Sequence, residues 1–188
     1  MHHGIGHALL RDVTERVVQR ARGPVLVTRP RTASDLILVA VDTPFAHSYA
    51  LDAAIEEARA SGSRLTVVHT IGIGLIETLA ADIVNGGAYG AHPLGQYSRM
   101  SDARQALRAE LRRRDEQADI HVAEADAASF IPQLAAQLDA DLVVVGTAHH
   151  SNSRVTTAVL RHASCSVLVV DESGDALGTD LPLQVSSA

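Results

Sequence analysis

The sequence predicts a doubly wound α/β domain, a five-stranded parallel sheet sandwiched between two layers of helices. Three observations predict it. Leu142–Val145 and Val167–Val170 are apolar, β-branched runs, and Asp35–Asp42 (DLILVAVD) and Arg64–Thr70 (RLTVVHT) are close to it. Such runs suit strands buried on both faces. Segments of helical period lie between them, so the strands are joined by crossovers and run parallel. Finally, Gly146 stops the Leu142–Val145 run and a polar loop follows. That is the place where ligands of parallel sheets bind, at the carboxyl end of a strand.

Composition narrows the classes. A chain of 188 residues with 46% hydrophobic and 20% charged residues is globular and long enough for one domain with a remainder. No apolar run reaches the length of a membrane-spanning helix. The start, MHHGIGHALL, lacks the basic and apolar regions of a signal peptide, so a cytoplasmic location is expected. The single Cys165 agrees, because a disulfide framework needs pairs. Net charge is −6 and all 16 basic residues are Arg. Without Lys there is no Walker A lysine and no Schiff-base chemistry. With aromatics at 3% and no Trp, stacking platforms for single-stranded nucleic acid are also missing. Neither nucleic acid nor membrane is an expected partner.

The elements follow in order. Ala8 to Ala21 places Leu10, Val13, Val17 and Ala21 at helical spacing, Gly23-Pro24 ends that helix, and Val25–Thr28 reads as a short strand. Asp35–Asp42 is the next strand, ending in a carboxylate before Thr43-Pro44. Ser48–Ser61 is an amphipathic helix with Leu51, Ala54, Ile55 and Ala58 on one face and Gly62 closing it. Arg64–Thr70 is a strand. Residues 73–84 have helical potential, but Gly86, Gly87, Gly90 and Pro93 predict a long mobile loop through Gly95. A Ser-capped helix runs from Ser101 to Glu116, a weaker, more edge-like strand from His121 to Ala125, and a helix from Ala128 to Leu138. The Leu142 and Val167 strands with their helix complete the domain, and a tail from Ser173 is expected to be loosely held.

The first 34 residues are too few to bury their own apolar faces, and an internal repeat explains them. VTERVVQRARGPVLVTR from Val13 aligns without a gap to VTTAVLRHASCSVLVVD from Val155, with 7 of 17 positions identical at an offset of 142 residues. Similarity at one domain length indicates tandem duplication. Residues 1–34 thus read as the last helix and strand of one copy, 35–172 as a complete second copy, and 173–188 as a tail. A chain that starts inside a copy is also compatible with a truncated gene product.

DLILVAVDTPFAHSYALDAAIEEARASGSRLTVVHT and ADLVVVGTAHH…AVLRHASCSVLVVD resemble the first and last β-α-β units of the universal stress protein family. The most specific pieces are Leu38-Val39-Ala40-Val41-Asp42 and the stretch from Leu160-Arg161-His162-Ala163 through Cys165 to Val170. The resemblance implies a Rossmann-like fold of the adenine nucleotide alpha hydrolase type. It also implies that last strands pair between domains, here Val25–Thr28 antiparallel to Val167–Val170. Homodimerisation or other self-association through these two strands, and an unknown protein partner, follow as expectations.

Family members with Gly-x2-Gly-x9-Gly-[Ser/Thr] bind ATP, the glycines letting backbone amides close on phosphates. Here Gly146, followed by Thr147, fits the first glycine, but His149 stands in the second place. Ser153-Arg154 fills the Gly-Ser slot, and the intervening loop is short. In the N-terminal copy that slot is Arg11-Asp12, and Asp12 would repel phosphate. The base side is better kept: the resemblance gives Val41 a backbone contact to adenine and Asp42 a carboxylate for ribose, while His149 and Arg154 could meet an anion. ATP or another adenine nucleotide, held weakly, is the only cofactor implied.

Other chemistry is weighed against plainer readings. His149-His150 beside His162 read as surface histidines, because adjacent His in a strand-end loop point apart and no Cys, Asp or Glu joins them at ligand spacing. Cys165 before a buried strand reads as a packed thiol. Asp42 has no partner acid or nucleophile, so a ligand carboxylate outweighs a general base. Arg112-Arg113-Arg114 beside Glu110, Asp115 and Glu116 reads as a solvated helix end. No catalytic residue and no metal site are expected. The expected function is a non-catalytic stress-response or regulatory protein with a degenerate nucleotide site; the alternative is an ATP-binding, weakly hydrolytic switch.

Overall fold

The computed structural model describes residues 14–18, 20–21, 23–30, 34–42, 45–72, 93–147 and 154–172, with residues 46 and 93–98 as backbone alone. Six strands form one sheet: β1 (Val25–Val27), β2 (Leu36–Ala40), β3 (Arg64–Ile71), β4 (Asp119–Glu124), β5 (Leu142–Thr147) and β6 (Ser166–Asp171). Their order is β1-β6-β5-β2-β3-β4, with every pair parallel except β1 and β6. Among the described residues the helices that flank the sheet include α1 (Tyr49–Ser61), α2 (Pro93–Arg113), α3 (Ala127–Gln137) and α4 (Arg154–His162).

The continuous apolar runs are explained by the two faces. Ile37 and Val39 point to a core made with Leu51, Ile55, Leu107 and Leu111 from α1 and α2. Leu36 and Leu38 point the other way, to Ile131, Leu134, Val159 and Leu160 from α3 and α4. Because successive strand residues alternate faces, a strand covered on both sides has no polar position to spare. Leu38 and Val39 are both fully buried, and truncating such side chains costs about 2–5 kcal/mol.

The five-strand expectation becomes six through β1. The expected antiparallel pairing is present within the chain, in the register Val25↔Val169, Leu26↔Leu168 and Val27↔Val167. Arg29 pins it: its backbone N–H donates to Ser166 Oγ at 3.0 Å and its guanidinium to the carbonyls of Cys165 (2.9 Å) and Leu160 (2.6 Å). The preceding residues 14–18 are helical. Glu15 accepts both Nε and Nη2 of Arg161 at 2.6 and 3.1 Å.

Two boundaries and one surface reading differ from expectation. α2 begins at Pro93, inside the stretch expected to be loop, rather than at Ser101. Proline in a first turn has no N–H to lose. The cost of Gly95, about 1 kcal/mol, is offset by the packing of Met100, Ala103, Leu107 and Leu111 further along. β4 begins at Asp119 rather than His121, because its ladder to β3 starts at Thr66↔Asp119. It has β3 alone as neighbour and is the sheet's other edge. The arginine run is also less solvated than expected. Arg114 is largely buried, pairs with Glu110, and donates from Nε to Asp52 Oδ1 at 2.7 Å, tying α2 to α1. Residues 73–92 and the tail from 173 lie outside the described residues.

Candidate functional site: the switch point between β2 and β5

From β2 the chain moves outward through β3 to β4, then returns on the other side of β2 to β5 and β6. The strand order therefore reverses between β2 and β5, and the crevice at their carboxyl ends is where such sheets bind ligands. Val41 and Asp42 follow β2, while Gly146 and Thr147 end β5. The topology thus brings these four residues to one end of the sheet.

Asp42 is exposed at this mouth. Val41 is buried, and its backbone is engaged on both sides: its N–H donates to Val68 O at 3.0 Å and its carbonyl lies 2.9 Å from His69 Nδ1. A carbonyl only accepts, so Nδ1 of His69 carries a proton. That ring is buried and meets Phe45 edge-on, with centroids 5.0 Å apart. The carbonyl of Gly146 accepts from Thr156 Oγ1 at 3.0 Å. Arg154, the first residue of α4, is 79% exposed and donates to Asp126 Oδ2 at 3.0 Å. His149, His150 and Ser153 lie outside the described residues.

A residue that sequence reasoning missed occupies the crevice. Glu172, one residue past β6, is held to β5 by its N–H, which donates to Thr147 O at 2.8 Å. Its side chain crosses over Gly146 and reaches the first turn of α1. There Oε2 accepts from Tyr49 N at 3.0 Å, and Oε1 accepts from Ala50 N at 2.9 Å and Ser48 Oγ at 3.2 Å. Ser48 is the N-cap, and its hydroxyl accepts from Leu51 N at 3.2 Å. A helix start leaves its first amides without intrahelical partners. Here Tyr49, Ala50 and Leu51 all find theirs in Glu172 or Ser48, and the next amide, Asp52 N, already bonds Ser48 O at 3.2 Å. A negative charge in this place also meets the positive end of the helix dipole.

Gly146 makes this possible. A Cβ there would stand 2.4 Å from Glu172 Cγ and 2.7 Å from its Oε1. The missing side chain is the space through which the carboxylate passes. No sequence signal pointed to it: Glu172 follows the last apolar run at the boundary of the expected tail, and its partners are 122–124 residues away.

Cys165 is buried beside Arg29. Burial pushes its thiol above the ordinary value despite the pull of Arg29, so it stays protonated and packed at neutral pH. Among the described residues no group of three His, Cys, Asp or Glu is placed to hold a metal ion, and no helix is long and apolar enough to cross a membrane.

The comparison that decides the family is with the Usp model, described as the universal stress protein family, which matches residues 34–171. The chain belongs to the universal stress protein family. Solved structures agree on the fold. A universal stress protein from Archaeoglobus fulgidus superposes with a TM-score of 0.58 at 16% identity, over 87% of this chain and 55% of its own. A functionally unknown protein from Pseudomonas aeruginosa gives 0.56 at 23%, over 86% and 56%. A candidate universal stress protein from the same species gives 0.54 at 25%, over 83% and 55%. This universal stress protein therefore spans a little over half the length of each. No curated protein sequence matches it.

Proposed function

We propose that this universal stress protein is a non-catalytic stress-response or regulatory protein whose nucleotide crevice is altered. The observation that carries the reading is the donor accounting at the switch point: the first-turn amides of α1 are satisfied from within the chain by Glu172 and Ser48. The sequence supports it independently, since His149 and Ser153-Arg154 replace the residues of the glycine pattern. Exposed Asp42 at the mouth, with Gly146, Thr147 and a nearby Arg154 that meets Asp126 in an exposed ion pair, supports the second reading, an ATP-binding, weakly hydrolytic switch. An exposed pair of this kind is worth at most about 1 kcal/mol, so Arg154 can be recruited to an anion at little cost.

Residues 1–34 are, in this proposal, the closing helix and strand of a second family domain. The support is the repeat from Val13 to Val155 and the antiparallel seat of β1 on β6. Leu26 is 56% exposed on the free face of β1 and Val17 is 52% exposed on the helical segment, which favours self-association through Val25–Thr28 and the Val167–Val170 edge. The proposed location is cytoplasmic.

The test is equilibrium binding of ATP to the purified chain, with and without Mg²⁺, beside an Asp42→Ala variant. Absence of binding up to millimolar ATP is the expected result. Low-micromolar binding that Asp42→Ala abolishes would replace the first reading with the switch.

A further inference from the structure

We infer that Glu172 is the specificity-determining residue of the switch-point crevice: it fills the anion position with a carboxylate of the chain itself and so discriminates against phosphorylated ligands in favour of their uncharged counterparts. The inference rests on the reading of the crevice as an altered nucleotide site and deepens it.

Two independent features make the carboxylate a built-in occupant rather than a passing contact. Its backbone is fixed, with Glu172 N on Thr147 O at 2.8 Å, so the side chain starts from the edge of β5 and not from a free tail. Its path is also shaped, because the Cβ that any residue other than glycine would place at 146 falls 2.4 Å from Glu172 Cγ. At the far end both oxygens are used, on Tyr49 N, Ala50 N and Ser48 Oγ. A phosphate arriving here meets a carboxylate in its place and finds the amides already taken. Like charges a few ångströms apart repel strongly in a half-buried crevice. An uncharged ligand lying toward Val41 and Asp42 does not meet that repulsion. Gly146 thereby has a different use from the one its place in the glycine pattern suggests, since the room it leaves is taken by a side chain of the chain itself.

The experiment compares adenosine, ATP and inorganic tripolyphosphate as ligands of the full chain, of Glu172→Gln and of Glu172→Ala. Circular dichroism checks the folds, and the amide resonances of Tyr49 and Ala50 report occupancy. Expected are adenosine binding at least as tight as ATP in the unaltered chain and about a tenfold or greater gain for ATP and tripolyphosphate in Glu172→Ala. Glu172→Gln, which keeps the shape and loses the charge, gives a smaller gain, adenosine is unchanged throughout, and the gained ligands shift the Tyr49 and Ala50 signals. Folded variants whose tripolyphosphate and ATP affinities equal those of the unaltered chain overturn the inference, as does tripolyphosphate binding that leaves both signals in place. The two ideas fail differently. Adenosine binding to all three proteins with no gain for tripolyphosphate sinks the role of Glu172 and leaves the altered-site reading standing. Tripolyphosphate gained in Glu172→Ala with adenosine bound by none upholds exclusion by Glu172 and sinks the adenine-site reading.

Discussion

Two helices of this protein start at the carboxyl end of the sheet in opposite ways. α1 begins beside the switch point, and its first amides are closed off by Ser48 and by a carboxylate from the far end of the chain. α3 begins at Asp126, whose backbone is extended at φ −72 and ψ 112 as an N-cap should be, yet whose side chain makes no capping hydrogen bond. That carboxylate turns outward instead, to Ser129 Oγ at 3.2 Å and Arg154 Nη2 at 3.0 Å. A local residue could have capped either helix. The long-range cap appears where strands on both sides converge, so that β6 delivers Glu172 over Gly146 to α1. Residue type alone ranks Ser48 and Asp126 as equal caps, and geometry separates them.

That contrast can be broken by substitution, and the largest effects should come from the α1 side. Glu172→Ala removes three hydrogen bonds to a charged acceptor, and a loss of about 2–3 kcal/mol in urea denaturation is expected. Gly146→Ala forces the Glu172 side chain aside and should cost a similar amount. In the double variant the two losses overlap, so the pair falls short of additivity by about 1–2 kcal/mol. Strict additivity would mean that Gly146 serves something other than Glu172. Ser48→Ala comes next, at about 1 kcal/mol for a lost N-cap. Asp126→Ala should cost under about 0.5 kcal/mol, since an exposed ion pair and no cap are at stake. Equal losses for Ser48→Ala and Asp126→Ala would erase the distinction between the two helix starts. Smallest of all, Arg154→Ala should change stability by no more than a few tenths of a kcal/mol, measured in the same titration.

The fold was legible because its determinants are local and repetitive. Runs such as DLILVAVD and DLVVVG announce strands covered on both faces, Ser48 and Gly62 announce the ends of α1, and the Val13–Val155 repeat, joined to the family resemblance, announces where β1 sits. Misplaced boundaries arose where tertiary packing outweighed local punctuation, at Pro93 and Gly95 in α2 and at Asp119 in β4. The candidate site was legible in part. Val41, Asp42, Gly146 and Thr147 share the carboxyl end of the sheet, a position that strand order makes readable. Glu172 was not legible, because nothing within its own neighbourhood in sequence distinguishes a glutamate that crosses the sheet to cap a helix from one that begins a polar tail.

The pairing of β1 with β6 also sets a timetable. Among the described strands, the earliest in sequence is joined to the latest, Val25 to Val169. At roughly 5–20 residues per second, synthesis keeps the two apart for about 7–30 seconds. During that interval β1 has no β6 edge on which to lie, while β3 and β4 already possess their neighbours. Contacts of such long sequence separation form late. The docking of residues 14–29 is then the closing act of folding, and amide hydrogen exchange should find it the first part to open.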